Sequence, residues 1–364
     1  MSTAAPAGRA AQAAQARRAS LASQLGVSER LFSSPAERRF AKRVEEGLDQ
    51  VEEGLMNEVR FADELADVTT RYLLEAGGKR VRPMLTMLAA QLGDGPTPEV
   101  VTAAMAIEIT HLASLYHDDV MDEAMLRRGV PSAQSVWGNS VAVLTGDLLF
   151  ARASRLIAAL GERAITLQSD TFERLCLGQL HETIGPREGD DPIDHYIQVL
   201  SDKTGSLIAT AAQFGVVFSS APDEFEQPVV EFGEKVGIAF QLIDDVIDLS
   251  SDGDTGKVAG TDLRAGVATL PLLKLRVAAE SDDASARLLA ALEREVIGVP
   301  EAEGQTDAAA AAIAELRAHA ATADTRAEAH RWAREAVEAI APLPEGPATK
   351  AMRRFAETIV ERSH

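Results

Sequence analysis

From Pro35 onward the apolar residues recur at the spacing of one face of an α-helix, and the pattern continues through most of the chain. Gly77-Gly78 and Pro83 punctuate it, and Gly93 to Pro98 reads as a loop. The stretch from Pro98 to Glu123 reads as one helix, with Pro98 near its start, where a missing N–H costs no hydrogen bond. Gly129-Val130-Pro131 ends the next loop, Gly185 to Pro192 is a polar loop, and Asp252 to Gly266 is a long Gly/Asp/Lys loop after a helix ending near Leu249. Over 298–326 the sequence turns to Pro, Glu, Gly and Gln and then an Ala run, which predicts a loop or low-complexity excursion, or a partly ordered helix. Helical spacing returns from Thr349 to Arg362. No series of alternating strand-like runs broken by Asn-Gly or Asp-Gly turns is present, so the predicted class is all-α.

Composition sharpens this picture. Of 364 residues 46% are hydrophobic but only 4% aromatic, so the core must be built from Ala, Leu, Val and Ile. Residues 1–30 are Ala-rich, carry Arg9, Arg17 and Arg18 with no acid before Glu29, and read as a flexible tail; the same composition suits a transit peptide. No break in composition divides 31–364, which is expected to be a single helical domain. A helical domain of roughly 320 residues exceeds the usual size, which implies wrapping around a cavity. The net charge of −20 argues against nucleic acid or an anionic membrane surface as partner. The single cysteine, Cys176, allows neither an intrachain disulfide nor a cysteine metal site and suits a reducing, cytoplasmic compartment. No apolar run is long enough for a transmembrane helix.

Two acidic clusters interrupt apolar helical sequence: Asp118-Asp119-Val120-Met121-Asp122 and Asp244-Asp245-Val246-Ile247-Asp248. At 3.6 residues per turn, Asp118 and Asp122 share a helix face one turn apart, as do Asp244 and Asp248. Like charges at this spacing destabilise a bare helix, and Asp is a poor helix former. A solvated acidic face accounts for one such motif. Two copies in matching apolar contexts argue for a compensating hard cation such as magnesium, which takes one or two carboxylates and completes its shell with phosphate oxygens.

Positive charge is concentrated elsewhere. Lys79, Arg80 and Arg82 follow Gly77-Gly78, Arg127-Arg128-Gly129 follows the first acidic cluster, and Lys203-Thr204 and Lys257 lie on either side of the second. Arginine forks and lysine point charges suit phosphate oxygens. Each group alone reads as surface; together with the two aspartate motifs they are specific.

In this order the motifs resemble those of the trans-isoprenyl diphosphate synthases: Gly-Gly-Lys-Arg-x-Arg-Pro, Asp-Asp-x-x-Asp with Arg-Arg-Gly, Lys-Thr, Phe240-Gln241 before the second Asp-Asp-x-x-Asp, and the Gly-Lys-x-x-Gly-x-Asp-Leu loop, over about residues 70 to 275. The resemblance implies an isoprenoid synthase fold, an antiparallel helix bundle around a deep central cavity, assembled as a homodimer. It implies condensation of isopentenyl diphosphate with an allylic diphosphate, with three Mg2+ per active site. Lys79, Arg80, Arg82, His111 and Arg128 would then contact isopentenyl diphosphate. Arg127, Lys203, Thr204, Gln241 and Lys257 would contact the allylic diphosphate. Asp118, Asp122, Asp244 and Asp248 would hold metal, with Asp119 and Asp245 in support among the catalytic carboxylates. His111 stands seven residues before Asp118, two turns down the same face. No side-chain nucleophile is required.

Chain length would be set upstream of Asp118, where Ala113 and Ser114 are small and Ile107 lies three turns below the motif. This implies a product longer than C15, and the stretch from Glu108 to Trp137 most resembles bacterial polyprenyl synthases that make quinone side chains. Tyr116 departs from the Leu more usual in that position. Other readings fare less well. Glu108-x-x-His111 fits a di-iron helix motif, but a second copy is absent. A terpene cyclase shares only the first aspartate motif. His117 reads as a neighbour of the site rather than a metal ligand, and His181 and His195 lack a partner set. The remaining alternative is a non-catalytic or partner-requiring subunit of a heteromeric synthase, although such subunits tend to lose aspartates and all six are present here.

Overall fold

The structure, a computed structural model, describes residues 34–250, 259–299 and 306–362; the expected tail over 1–30 lies outside them. In chain order the helices are α1 Pro35–Glu58, α2 Glu64–Glu75, α3 Val81–Ala90, α4 Pro98–Met121, α5 Ala133–Trp137, α6 Asn139–Leu160, α7 Glu162–Ile184, α8 Pro192–Leu200 and α9 Ser206–Val217. They continue with α10 Glu226–Asp248, α11 Thr261–Arg264, α12 Leu270–Ala279, α13 Asp283–Glu295, α14 Asp307–Ala318, α15 Ala320–Ala339 and α16 Pro347–Glu361. A π-helical turn, Ser201–Gly205, separates α8 from α9. Among the described residues no helix is long and apolar enough to cross a membrane.

Residues 31–364, expected as one domain, divide into two compact units. The first holds the described residues up to Phe172 with Leu207–Val230 and Pro342–Met352; the second holds Glu173–Ser206, Glu231–Ala341 and Arg353 onward.

The first unit begins with a reciprocal cap. Ser34 Oγ accepts from the Glu37 N–H, and the Glu37 carboxylate accepts from the Ser34 N–H, satisfying two donors that the helix leaves open. Phe40, Val44, Gly47, Val51 and Leu55 then bury one stripe of α1. By contrast α4 is buried on nearly every side, which makes it the central helix of this unit. Helix α6 packs along it, and the close approach depends on Gly146, where a Cβ would collide with the His117 ring. Thr86 Oγ1 donates to Ala211 O at 2.8 Å and joins α3 to α9.

One strand pair departs from the all-helical expectation. Leu126–Arg127 (β1) pairs antiparallel with Val130–Pro131 (β2). Arg128 and Gly129 between them have φ of 54° and 75°, the two left-handed residues of a tight hairpin turn.

In the second unit the excursion expected over 298–326 is corrected. Only 300–305 lies outside the described residues, and α14 and α15 occupy the rest of the Ala run. Thr306 caps α14 by accepting from Ala309 N–H at 3.0 Å. Ala309, Ala312, Ile313 and Leu316 form a helical stripe that packs with Leu288 and Leu292 of α13. The residues that resemble low complexity are therefore an amphipathic helix whose apolar face combines alanine with Ile313 and Leu316.

Ser285, Asp282 and His319 come together beside this core, but as caps. Ser285 Oγ donates to Asp282 at 2.7 Å, and His319 Nδ1 accepts from the Ala321 N–H at 3.1 Å, which leaves Nε2 to donate to Ser285 at 3.1 Å. A serine whose proton already points at a carboxylate is not activated by that histidine.

Ile313 is 2% exposed, so truncating it to Ala should cost about 2–4 kcal/mol of unfolding free energy in a urea titration. A change below about 0.5 kcal/mol would show that α14 is not part of the core.

Candidate active site

The cationic part of the site is built in the first unit on the chain reversal before α3. Gly77 and Gly78 have φ of 109° and 151°, and Arg80 itself is left-handed at 48°. A Cβ at Gly78 would stand 2.7 Å from Arg80 Nη1 and 3.0 Å from Arg128 Nη2, so only glycine lets both guanidinium groups close on this turn. Arg128 enters from the hairpin and donates to Leu73 O at 2.7 Å. Its left-handed backbone and that of Arg80 are local strain of the kind that accumulates at functional sites.

His111 lies among these groups. Burial first, and then Arg82, Arg128, Arg127 and Arg80, drive its pKa well below the ordinary histidine value, so the ring is neutral at pH 7. Arg82 is pushed down to about 10, chiefly by burial. Arg128 is lowered too, again by burial first and with Arg80 and Arg127 adding to the effect. Arg82 and Arg128, held below their ordinary values beside Arg80 and Arg127, sit in a positive field that an added polyanion relieves.

One buried carboxylate moderates this field. Glu108 is 3% exposed, and its Oε1 lies 3.3 Å from Arg80 Nη1. The same arginine reaches Glu52 at 2.9 Å through Nε and donates to Leu74 O and Gly77 O. Arg80, expected at the substrate, is thus spent on the protein's own acceptors and acts as a strut. Lys79 is exposed beside it. Glu108 Oε2 and Arg82 Nε are buried with no hydrogen-bond partner. Glu108, which in sequence fits half of a di-iron motif, is the counter-charge of the arginine cluster.

The first aspartate motif ends α4. Asp118 is half-buried and Asp122 is exposed at the C-cap, where its N–H donates to Asp118 O at 2.8 Å. Asp119 points the other way. It is fully buried, its Oδ1 accepts from Arg127 Nε at 2.6 Å, and burial raises its pKa against the pull of Arg127. Asp119 therefore fixes Arg127 rather than facing a substrate. Tyr116 is explained here as well: its buried hydroxyl donates to Thr69 O and accepts from Leu73 N–H at 3.2 Å, which ties α2 to α4. His117 packs α4 on α6, with Nε2 3.0 Å from Val143 O. Ile107 and Ala113 are fully buried in α4, and Ser114 is nearly so, with its hydroxyl turned to His111 O at 2.9 Å.

The second unit carries the other aspartate motif and the Lys-Thr pair. Lys203 and Thr204 sit in the π-helical turn, a local widening of the helix that recurs at functional positions. Lys203 Nζ lies 2.5 Å from Glu182 Oε2. Arg174 braces the turn by bonding Asp202 at 2.9 Å and Glu234 at 2.6 Å, and Ser201 Oγ donates to the same Glu234 oxygen at 2.6 Å. Gln241 is half-buried on α10, one turn before the motif. Asp244 is partly exposed and pairs with Arg362 at 3.0 Å, whose guanidinium also lies 4.8 Å from the centre of the Phe240 ring. Asp245 is buried and accepts from Tyr196 Oη at 2.8 Å and Leu270 N–H at 3.3 Å; burial pushes its carboxyl up to about 8. Asp248 is 5% exposed and accepts from the Asp262 N–H at 3.1 Å. Lys257 lies outside the described residues. Tyr196, Arg362 and the Arg174–Glu234 brace carry no short-range sequence signal, because each reaches its partner across tens of residues.

The donor set suits a hard divalent cation. Asp118 with Asp122, and Asp244 with Asp248, offer carboxylate oxygens one turn apart and no nitrogen or sulfur. Among the described residues no three His, Cys, Asp or Glu side chains converge as a metal-ligand group. Such pairs fit an ion that completes its shell with water and substrate phosphate.

Helices that bring an arginine cluster around a neutral histidine, and paired aspartates at helix ends, define an all-α protein equipped for diphosphates. Residues 63–305 match the polyprenyl synthetase family. The chain is 44% identical over 326 residues to the nonaprenyl diphosphate synthase of Mycobacterium tuberculosis, covering 89% of this chain and 94% of that protein. Crystal structures of two similar proteins, each complexed with calcium and isoprenyl diphosphate, superpose closely. The polyprenyl synthase of Caulobacter crescentus CB15 has a TM-score of 0.78 at 30% identity, covering 90% of this chain and 98% of that one. The geranylgeranyl pyrophosphate synthase of Corynebacterium glutamicum has a TM-score of 0.77 at 37% identity, covering 91% and 99%. The chain belongs to the polyprenyl synthetase family, a divalent-metal-dependent family of prenyltransferases with the all-α isoprenoid synthase fold.

Arg80→Ala would leave Glu108 buried without its ion-pair partner and should destabilise the protein by about 3–5 kcal/mol in chemical denaturation. Lys79→Ala, at an exposed position, should stay within about 0.5 kcal/mol. His111 supplies a pH dependence. Its folded pKa is depressed, so the unfolded chain takes up the proton first as pH falls through the ordinary histidine value. Stability is full above that value and should fall below it with a slope approaching about 1.4 kcal/mol per pH unit. His111→Gln should flatten that part of the stability–pH curve; an unchanged slope would show that His111 is not held neutral.

Proposed function

We propose that this protein is a Mg2+-dependent trans-prenyltransferase that adds isopentenyl diphosphate to an allylic diphosphate by 1'-4 condensation. Its product would be a polyprenyl diphosphate longer than C15, destined for quinone side chains. The observation that carries this reading is the arginine cluster around neutral His111, two turns below Asp118 on α4. The nonaprenyl relative supports the chain length, and small Ala113 and Ser114 above buried Ile107 agree with it.

In this reading Arg82, Arg128, His111 and Lys79 bind the diphosphate of isopentenyl diphosphate. Glu108 and Arg80 hold that cluster in place, and His111 as a neutral ring donates a hydrogen bond without adding charge. Arg127, fixed by Asp119, and Lys203, Thr204, Gln241 and Lys257 bind the allylic diphosphate and stabilise charge growing on its leaving oxygens. Asp118, Asp122, Asp244 and Asp248 would hold Mg2+, three ions per site, which supplies neutralisation of the departing pyrophosphate. The allylic C–O bond ionises, the isopentenyl double bond attacks the allylic carbon, and the proton lost from C2 passes to pyrophosphate.

The enzyme is proposed to act in the cytoplasm as a homodimer. Leu177, Leu180 and Ile184 are exposed at helical spacing along one face of α7, an apolar stripe suited to a second copy.

The test is incubation of the purified protein with labelled isopentenyl diphosphate, Mg2+ and allylic primers of several lengths. Products longer than C15 that vanish with EDTA are expected, and Asp118→Ala should lower turnover by at least about 10²-fold. No elongation with any primer would sink the stand-alone enzyme and favour a subunit that requires a partner.

A further inference from the structure

The second aspartate motif contains three carboxylates with two different orientations. Asp244 and Asp248 are separated by about 40° around the α10 axis, whereas Asp245 lies about 100° from Asp244. Which of them faces the ligand is decided by the rotation of α10 about its own axis. A helix end with adjacent aspartates does not choose this by itself, since Asp244 and Asp245 are chemically alike.

Tyr196 makes the choice. It stands on α8, and its hydroxyl donates to Asp245 Oδ2 at 2.8 Å. The Leu270 N–H, at the start of α12, donates to the same oxygen at 3.3 Å. Asp245 is 6% exposed, while the Asp244 side chain is 38% exposed. Both donors converge on one oxygen, so the middle carboxylate is gripped from two elements and α10 is locked with Asp244 outward. The same tyrosine precedes Lys203 by seven residues, and the intervening π-helical turn is itself braced by Arg174 and Glu234. The bond therefore also sets the register of the Lys203 segment against the aspartate helix.

We infer that Tyr196 is a positioning residue of the prenyl transfer: by holding Asp245 inward it keeps Asp244 outward, where it would meet the allylic diphosphate and its metal, with Asp248 one turn along the same helix. The inference rests on the function proposed above. Asp245 is then an anchor, and its role needs only an oxygen that accepts two hydrogen bonds.

The test uses the full-length protein and reads Mn2+ binding in the presence of inorganic pyrophosphate by calorimetry, alongside steady-state kinetics. Tyr196→Phe should weaken metal–pyrophosphate affinity about tenfold, the scale of lost outer partners at metal sites. The KM of the allylic diphosphate should rise in parallel, while that of isopentenyl diphosphate stays within about twofold. A tyrosine that merely stabilises the fold would lower the melting temperature without this split. Asp245→Asn retains the accepting oxygen and should keep most of the metal–pyrophosphate affinity, whereas Asp245→Ala should lose it as Tyr196→Phe does. This pair decides the matter even if Tyr196→Phe does not fold. Equal losses in Asn and Ala would make Asp245 a ligand, and an unchanged affinity in Tyr196→Phe or Asp245→Ala would deny the anchor; either result overturns the inference. Wild-type protein that binds Mn2+ with pyrophosphate but elongates no primer would instead count against the proposed function.

Discussion

The first unit is organised around a repulsion. Burial, reinforced by Arg80, Arg82, Arg127 and Arg128, holds the His111 pKa well below its ordinary value, and burial with neighbouring arginines pulls Arg82 and Arg128 down from their usual range. Such a cluster is unfavourable without counter-charge. The fold supplies Glu52 and Glu108 to Arg80 and Asp119 to Arg127, leaving Arg82 and Arg128 with charge to spare. Most local features of this unit follow from that division. Gly78 lets Arg80 and Arg128 meet, the two-residue hairpin delivers Arg127 to one side and Arg128 to the other, and Tyr116 pins α2 so that the Leu73 carbonyl can receive Arg128.

The second unit meets the opposite problem, an excess of carboxylate. Each aspartate of its motif is held by the protein: Asp244 by a guanidinium, Asp245 by a phenol and an amide, and Asp248 by a backbone amide among its partners. The donors to buried Asp245 are neutral, where a charged partner would itself need burial. The exposed member has the charged partner, at the position where exchange for another cation costs least desolvation.

Much of this was legible in the residues. Both aspartate motifs, the arginine segments and His111 are contiguous signals, and the helical class follows from periodicity. What could not be read were interactions that depend on which way a side chain turns. Asp119 looks identical to Asp118 in sequence, yet one is buried on Arg127 and the other half-exposed, a consequence of 100° of helix rotation. Arg80 resembles Arg82 as a phosphate contact until Glu52, 28 residues earlier, is seen to claim it. The hairpin was missed because its turn is Arg128-Gly129, without the Asn or Asp that usually marks one. The Ala run over 307–318 concealed a buried face because alanine contributes little to any hydropathy contrast, although Ile313 and Leu316 hold the correct spacing.

On the proposed function, these two solutions complement each other in time as well as charge. A cluster with surplus positive charge would bind a diphosphate without waiting for an ion, whereas the paired aspartates would hold a divalent cation only together with phosphate oxygens. Ionisation of the allylic substrate would then require that both are present, since the aspartate pairs alone lack the ligands to hold an ion tightly. A carbocation generated before its partner is bound would be lost to water. Aspartate pairs that would need the substrate's own oxygens to complete a metal shell would make the order of assembly a property of the residues rather than of a separate gate.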